Sequence, residues 1–301
     1  MELSVKKGNP SKQRSACVVV CVSERQHLTA AAENINKASR GLIKTLVKRG
    51  DLSGKLGQAH LIQNAPGVSA DRILVVGTGT RRTLDTRELR TILAAVMRKL
   101  AETPAKDAIL YINELDVKGC DSYWKARHTA ALADDVLYRF DKLKSKKPKR
   151  PALRRISLGF ADNSGGADAR RGLRHGKAIA EGSVAAKDLA NLPGNYCTPT
   201  DLANAAHALG NDNDTLSVKV LEEAAMKKLG MGALLSVSAG SRQPAKLIIM
   251  NYKGGLKSDA PIALVGKGVT FDSGGISIKP SAAMDEMKYD MGGSASVFGT
   301  M

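Results

Sequence analysis

Two rhythms of apolar and polar residues alternate along the first half of the chain. Short apolar runs rich in β-branched residues have the length and composition of strands: SACVVVCVS (15–23), RILVVGTG (72–79), DAILYINEL (107–115) and RRISLGFA (154–161). Between them, residues 83–103 and 121–144 place apolar side chains three and four apart, the period of a helix with one buried face. The region around Thr86 is the expected cap of the first of these helices. Strands alternating with helices imply an α/β domain with a largely parallel sheet.

The rhythm changes at ADNSGGADARRG (161–172), where turn formers cluster and a boundary is expected. A helix from about Asp168 to Asn191 follows, then a turn at NLPGN and a second helix capped by Thr198 or Thr200. Three apolar runs, at 233–241, 246–252 and 261–268, read as strands, and the pattern from Met284 to Met301 is helical and stops in mid-helix. The expected architecture is therefore α/β with two domains. Residues 1–160 form a basic N-terminal domain with a mixed or parallel sheet flanked by helices, 161–192 a linker helix, and 193–301 an incomplete second α/β domain.

Composition narrows the function classes. Apolar residues make up 43% and charged residues 25% of the 301, which supports a packed core and argues against disorder. No apolar run approaches the ~18–20 residues that span a bilayer, and the basic N-terminus leads into a strand-like run with no cleavage site. A cytoplasmic protein without membrane contact is expected. Cys17 and Cys21 lie four apart in a strand-like run and so share a face, while Cys120 and Cys197 have no neighbour in sequence; four reduced thiols are expected. The net charge of +17 is lopsided. Residues 1–160 hold 31 Lys and Arg against 15 Asp and Glu, and residues 161–301 hold 15 against 14. The densest stretch is RFDKLKSKKPKRPALRR (139–155), a solvated face or a surface for a polyanion.

Candidate chemistry is concentrated in LVGKGVTFDSGGISIKP (264–280). Neither this loop nor VVGTGTRRT (75–83) has the glycine spacing of a dinucleotide or P-loop site, and Asp272 stands where a phosphate would lie. A metal suits it better, since Asp272 and Asp290 are hard oxygen donors. An extended chain would hold Lys267 and Asp272 roughly 16–18 Å apart, whereas paired catalytic metals sit about 3.5–4 Å from each other. The loop must therefore curl, which Gly268, Gly274 and Gly275 permit. Lys267 would bind metal only as the neutral amine, and two adjacent dications favour that form. On spacing alone, a glycine loop with solvated lysines accounts for the sequence equally well.

VGKGVTFDSGGISIKP together with MDEMKYDMGGSASV resembles the signature of the leucyl aminopeptidases, the cytosol aminopeptidase family of two-metal exopeptidases. DVKGCDSYWKAR and NLPGNYCTP extend the similarity toward the bacterial aminopeptidase A branch. The resemblance implies that residues 193–301 are the N-terminal part of a catalytic domain. It implies that Lys267 and Asp290 ligate one of two divalent ions, manganese or zinc, and that Asp272 bridges both. Lys279 would be catalytic, directing its ammonium at the scissile carbonyl, so that Asp272 and Lys279 also face the peptide substrate. Leucine would be the favoured N-terminal residue, bicarbonate a further cofactor and a homo-hexamer the assembly. The family's N-T-D-A-E-G-R motif, source of two more carboxylates and an arginine, does not occur in these 301 residues, so this stretch alone is expected to be inactive. A rival reading from another class is a DNA-binding architectural or regulatory protein acting through the basic N-terminal domain.

Overall fold

A computed structural model describes residues 1–162, 165–256 and 258–301, so Asn163 and Ser164 of the expected boundary lie outside the described residues. The chain divides into two compact units, Met1–Ala180 and Glu181–Met301.

Unit 1 is built on six strands: β1 Glu2–Lys7, β2 Val18–Val22, β3 Ala59–Gln63, β4 Arg72–Gly77, β5 Asp107–Leu110 and β6 Arg155–Phe160. Their spatial order is β1-β6-β5-β2-β4-β3, all parallel except β3, which runs antiparallel along β4. The sheet is mixed, as expected, by virtue of β3, while α1 (Ala30–Ala38), α2 (Leu42–Arg49), α3 (Thr86–Ala101) and α4 (Ser122–Leu137) lie in the crossovers that parallel strands require. The period of two along β2 divides its side chains between two cores. Val18, Val20 and Val22 face α1 and α2 with Ile35 and Ile43. Cys17, Val19 and Cys21 face α3 and α4 with Leu89, Leu93 and Ala130. The two cysteines thus share a face and are free thiols, and burial pushes both up to about 12. Buried and protonated, they behave as small apolar side chains.

Several sequence expectations are sharpened or corrected. The cap of α3 is Asp85, one residue before Thr86, and it forms a reciprocal capping box with Glu88. The run 107–115 stops being a strand at Leu110. A 3-10 turn follows at Ile112–Glu114, and Glu114 there accepts hydrogen bonds from the Ala31 backbone N–H at 2.9 and 3.1 Å. This carboxylate closes the N-terminus of α1 across the point where the strand order reverses. Burial pushes its carboxyl above the usual range, partly offset by the hydrogen bonds from Ala31 and Thr29. Beside it, fully buried Tyr111 donates to the Gly8 carbonyl at 2.8 Å.

A long helix, α5, runs Gly166–Ala190, and the division between units falls inside it. Unit 2 continues with α6 (Pro199–Asn211), β7 (Leu216–Glu222), α7 (Glu223–Lys228), α8 (Gly232–Ser238) and β8 (Lys246–Tyr252). It ends in a 3-10 segment, Met284–Met291, and α9, Gly292–Thr300. Thr198 is the cap of α6, in a capping box with Asp201. Of the three expected strands, only 246–252 is one. Residues 233–241 are mostly helical, with Ser236 and Ser238 hydroxyls donating to the carbonyls of Ala233 and Leu235, three residues back, so that local bonds outcompete any ladder. Residues 261–268 belong to no strand, and no described strand pairs with them. The partner of β8 is instead β7, antiparallel over Leu216–Glu222, a strand absent from the sequence expectations. The unit's core joins Cys197, Leu202 and Ala206 to Met291, Ala295 and Phe298.

Candidate active site

The expected site residues lie on two pieces of unit 2 backbone. Lys267, Asp272 and Lys279 come from an irregular segment, and Asp290 comes from the end of the 3-10 segment that leads into α9. Asp290 is fixed by its neighbour, since Met291 is completely buried.

The segment curls within a few residues. Gly274 and Gly275 adopt φ of +92° and +66°, a region open to glycine, whereas Gly268 is not among the positive-φ glycines. The Gly274 N–H donates to Asp272 Oδ1 at 2.9 Å, and the Lys279 N–H donates to the Ser273 carbonyl at 2.9 Å. These bonds fold residues 272–279 into a closed turn.

Two ion pairs take up the four residues. Lys267 Nζ lies 2.6 Å from both oxygens of Asp290, and Lys279 Nζ lies 2.8 Å from Asp272 Oδ2. The Asp272 carboxyl is held below the usual carboxylate range by its hydrogen bond from Lys279, then by the Gly274 N–H, with charge from both Lys279 and Lys267 adding to it. The contacts are thus two separate pairs, Lys267 with Asp290 and Lys279 with Asp272. Lys279 also reaches Met287 Sδ at 3.0 Å, a contact that no sequence motif announced.

Among the described residues, no group of three His, Cys, Asp or Glu side chains gathers to hold a metal. What the site offers is two carboxylates and a lysine amine. Each carboxylate already faces an ammonium, the position a metal cation would take, so the donor chemistry fits hard divalent ions. Two negative charges leave two dications short of ligands. Two shallow clefts among the described residues lie elsewhere, one of about 320 Å³ between α7 and α8 beside Glu223 and Lys227, the other of about 260 Å³ between the ends of α3 and α4. The candidate site is thus open to the surface, with Asp272 and Lys279 37% and 36% exposed.

Comparison with known proteins matches both halves. The model of the cytosol aminopeptidase family N-terminal domain matches residues 19–147, and that of the family's catalytic domain matches residues 184–301. Two curated relatives carry the name "Probable cytosol aminopeptidase". The chain is 49% identical over 303 residues to the one from Idiomarina loihiensis and 50% over 306 residues to the one from Thioalkalivibrio sulfidiphilus. All of this chain is covered in both cases, but only 60% and 61% of the relatives, so it spans about three-fifths of their length. Among solved structures, the bottromycin maturation enzyme BotP in complex with Mn is similar at a TM-score of 0.73 and 28% identity, covering 95% of this chain and 55% of that one. A tomato leucine aminopeptidase mutant is similar in fold at a TM-score of 0.80 and 23% identity, covering 99% of this chain and 58% of that one.

Proposed function

This chain belongs to the cytosol aminopeptidase family, and from that premise we propose that its intact gene product is a metal-dependent aminopeptidase that releases N-terminal residues from peptides, leucine favoured. The observation that supports this most is the pairing of each site carboxylate of unit 2 with a site lysine, Lys267 with Asp290 and Lys279 with Asp272. Lys267, Asp272 and Asp290 would hold divalent ions, manganese or zinc, with Asp272 shared between them. Bound there, such ions polarise a carbonyl and make water nucleophilic at neutral pH.

The chain's own residues supply the rest. Lys279 exchanges its Asp272 partner for the carbonyl oxygen of the scissile bond, where a fixed ammonium stabilises the charge that develops. Asp272 and Asp290, acceptors only when ionised, orient whatever cation faces them, the α-amino group of the peptide included. The low carboxyl of Asp272 keeps it ionised well below neutrality. The remaining ligands, an arginine and its bicarbonate have no counterpart in residues 1–301, so this stretch alone is expected to be inactive, and the intact protein is expected to be a cytoplasmic hexamer. No described helix is long and apolar enough to cross a membrane.

The test is hydrolysis of leucine anilide by the intact gene product before and after chelation. Activity should vanish on metal removal and return with manganese or zinc; undiminished turnover by metal-free protein would overturn the proposal. A second reading, DNA binding through the basic N-terminal domain, rests on the uninterrupted exposure of residues 142–150.

A further inference from the structure

Two candidates could bring Lys267 opposite Asp290: their own ion pair, or the backbone that carries them. Lys267 is 58% exposed, and a solvent-exposed ion pair contributes little to holding a loop. The backbone contact is much closer. A Cβ on Gly266 would lie 2.6 Å from the Gly293 carbonyl oxygen and 2.6 Å from Ser294 Cα, distances that side chains do not tolerate. A Cβ on Gly293 would lie 2.8 Å from the Lys267 nitrogen. Two main chains therefore cross where neither has a side chain to keep them apart.

The crossing is also hydrogen-bonded. Ser294 sits in the first turn of α9, whose leading N–H groups have no partner within the helix. Its N–H donates to the Lys267 carbonyl at 2.8 Å. The helix is itself held by buried Ala295 and Phe298, with buried Met291 just ahead of it. Asp290 leads directly into this anchored element, and Lys267 is bonded to it, so both hang from one rigid support.

We propose that Gly266 and Gly293 are positioning residues: the glycine crossing, clasped by the Ser294-to-Lys267 backbone bond, sets Lys267 against Asp290 independently of the charge between them. The consequence for chemistry rests on the assignment of these two residues as metal ligands made above. A cation entering between the side chains would then find both already placed, with no loop to reorganise.

Hydrogen exchange on the intact gene product separates the two candidates without using activity. The Ser294 amide should be protected in the unsubstituted protein and equally protected in Lys267→Met, which lacks the ion pair. Loss of that protection in Lys267→Met would overturn the proposal, as would an unprotected amide in the parent. Manganese affinity, measured by competition with a chelating dye, gives the second readout. Gly293→Ala should weaken it by about tenfold to a hundredfold, the range for partners that orient ligands. Turnover of this variant should recover at saturating manganese, which simple unfolding would not allow. Unchanged affinity in Gly293→Ala, where Lys267→Met and Asp290→Asn both lower it, would sink the crossing alone. Unchanged affinity in Lys267→Met and Asp290→Asn would instead sink the ligand assignment and leave the exchange result standing.

Discussion

In unit 1 the central strand β2 has all five residues buried, whereas in unit 2 β7 buries only Leu216 and β8 buries none. A six-stranded sheet with helices on both faces closes its own core. A two-stranded pair backed by α6 buries less, and in these 301 residues, about three-fifths of the relatives' length, Ile262, Val265 and Ile276 are 89%, 95% and 107% exposed. The contrast separates stability from chemistry. Unit 1 is held by apolar burial and carries none of the four candidate peptidase residues. Unit 2 puts its four charged site residues on two stretches of backbone, placed by turns and one backbone crossing.

Substitutions should therefore act on different observables in the two units. The largest effect belongs to unit 2 and to activity. In the intact gene product, Asp272→Ala should abolish peptidase turnover and lower bound metal, if its carboxylate is shared between both ions as proposed. Lys279→Ala should lose about 10²–10³-fold in kcat while keeping its metal, as for removal of a single oxyanion stabiliser. Equal loss of metal in both variants, measured by elemental analysis, would show that the roles are misassigned.

The next effect belongs to unit 1 and to stability. Leu93→Ala empties a fully buried position in the α3 core and should cost about 2–5 kcal/mol in urea unfolding. Val265→Ala, exposed in residues 1–301, should stay within about 0.5 kcal/mol when that stretch is unfolded by itself. A cost for Val265→Ala as large as for Leu93→Ala would erase the contrast.

Helix caps give smaller effects that should be alike in both units. Asp85→Ala and Thr198→Ala each remove half of a capping box and should cost about 1 kcal/mol. The Asp201 carboxyl is held low by its bonds from the Thr198 hydroxyl and N–H. Its contribution is thus present above the unfolded carboxylate range and fades as pH falls through the lowered value. It should shrink without vanishing in Thr198→Ala, which loses the hydroxyl but keeps the backbone N–H that donates to Asp201 at 3.0 Å. The smallest effect tests the basic surface. If duplex DNA binds unit 1, replacing Lys146, Lys147, Lys149 and Arg150 by Gln should flatten the log–log salt dependence by roughly 0.9 for each phosphate no longer neutralised. An unchanged slope would mark these residues as a solvated segment.

Where one element has one dominant signal, the sequence was enough to find it. The valines of β2, the helical spacing of α3 and the start of α6 at Thr198 or Thr200 were legible because local chemistry and tertiary burial agree there; the choice of Thr198 and its box with Asp201 came from the structure. Residues 233–241 misled because an apolar, β-branched run suits a strand or a short helix equally, and serine back-bonds favoured the helix. Residues 261–268 misled because a strand requires a partner, which no periodicity reveals. The site was legible as residues but not as geometry. The motif named Lys267, Asp272, Lys279 and Asp290, yet their pairing as Lys267 with Asp290 and Lys279 with Asp272 depends on turns and crossings remote in sequence. Gly293 and Ser294 were equally visible as letters, and only their approach to residue 267 gives them a role.

Sheets wound like that of unit 1 commonly receive ligands beyond the carboxyl ends of their strands, where the order reverses and helix N-termini attract anions. Here the Glu114 carboxylate occupies the Ala31 N–H at that place, and the buried ring of Tyr111 fills the space beside it. The domain carries its own anion, covalently attached and present at an effective concentration that no free metabolite matches. The place where such sheets receive a ligand is here a fastener, a bond between the 3-10 turn after β5 and the start of α1.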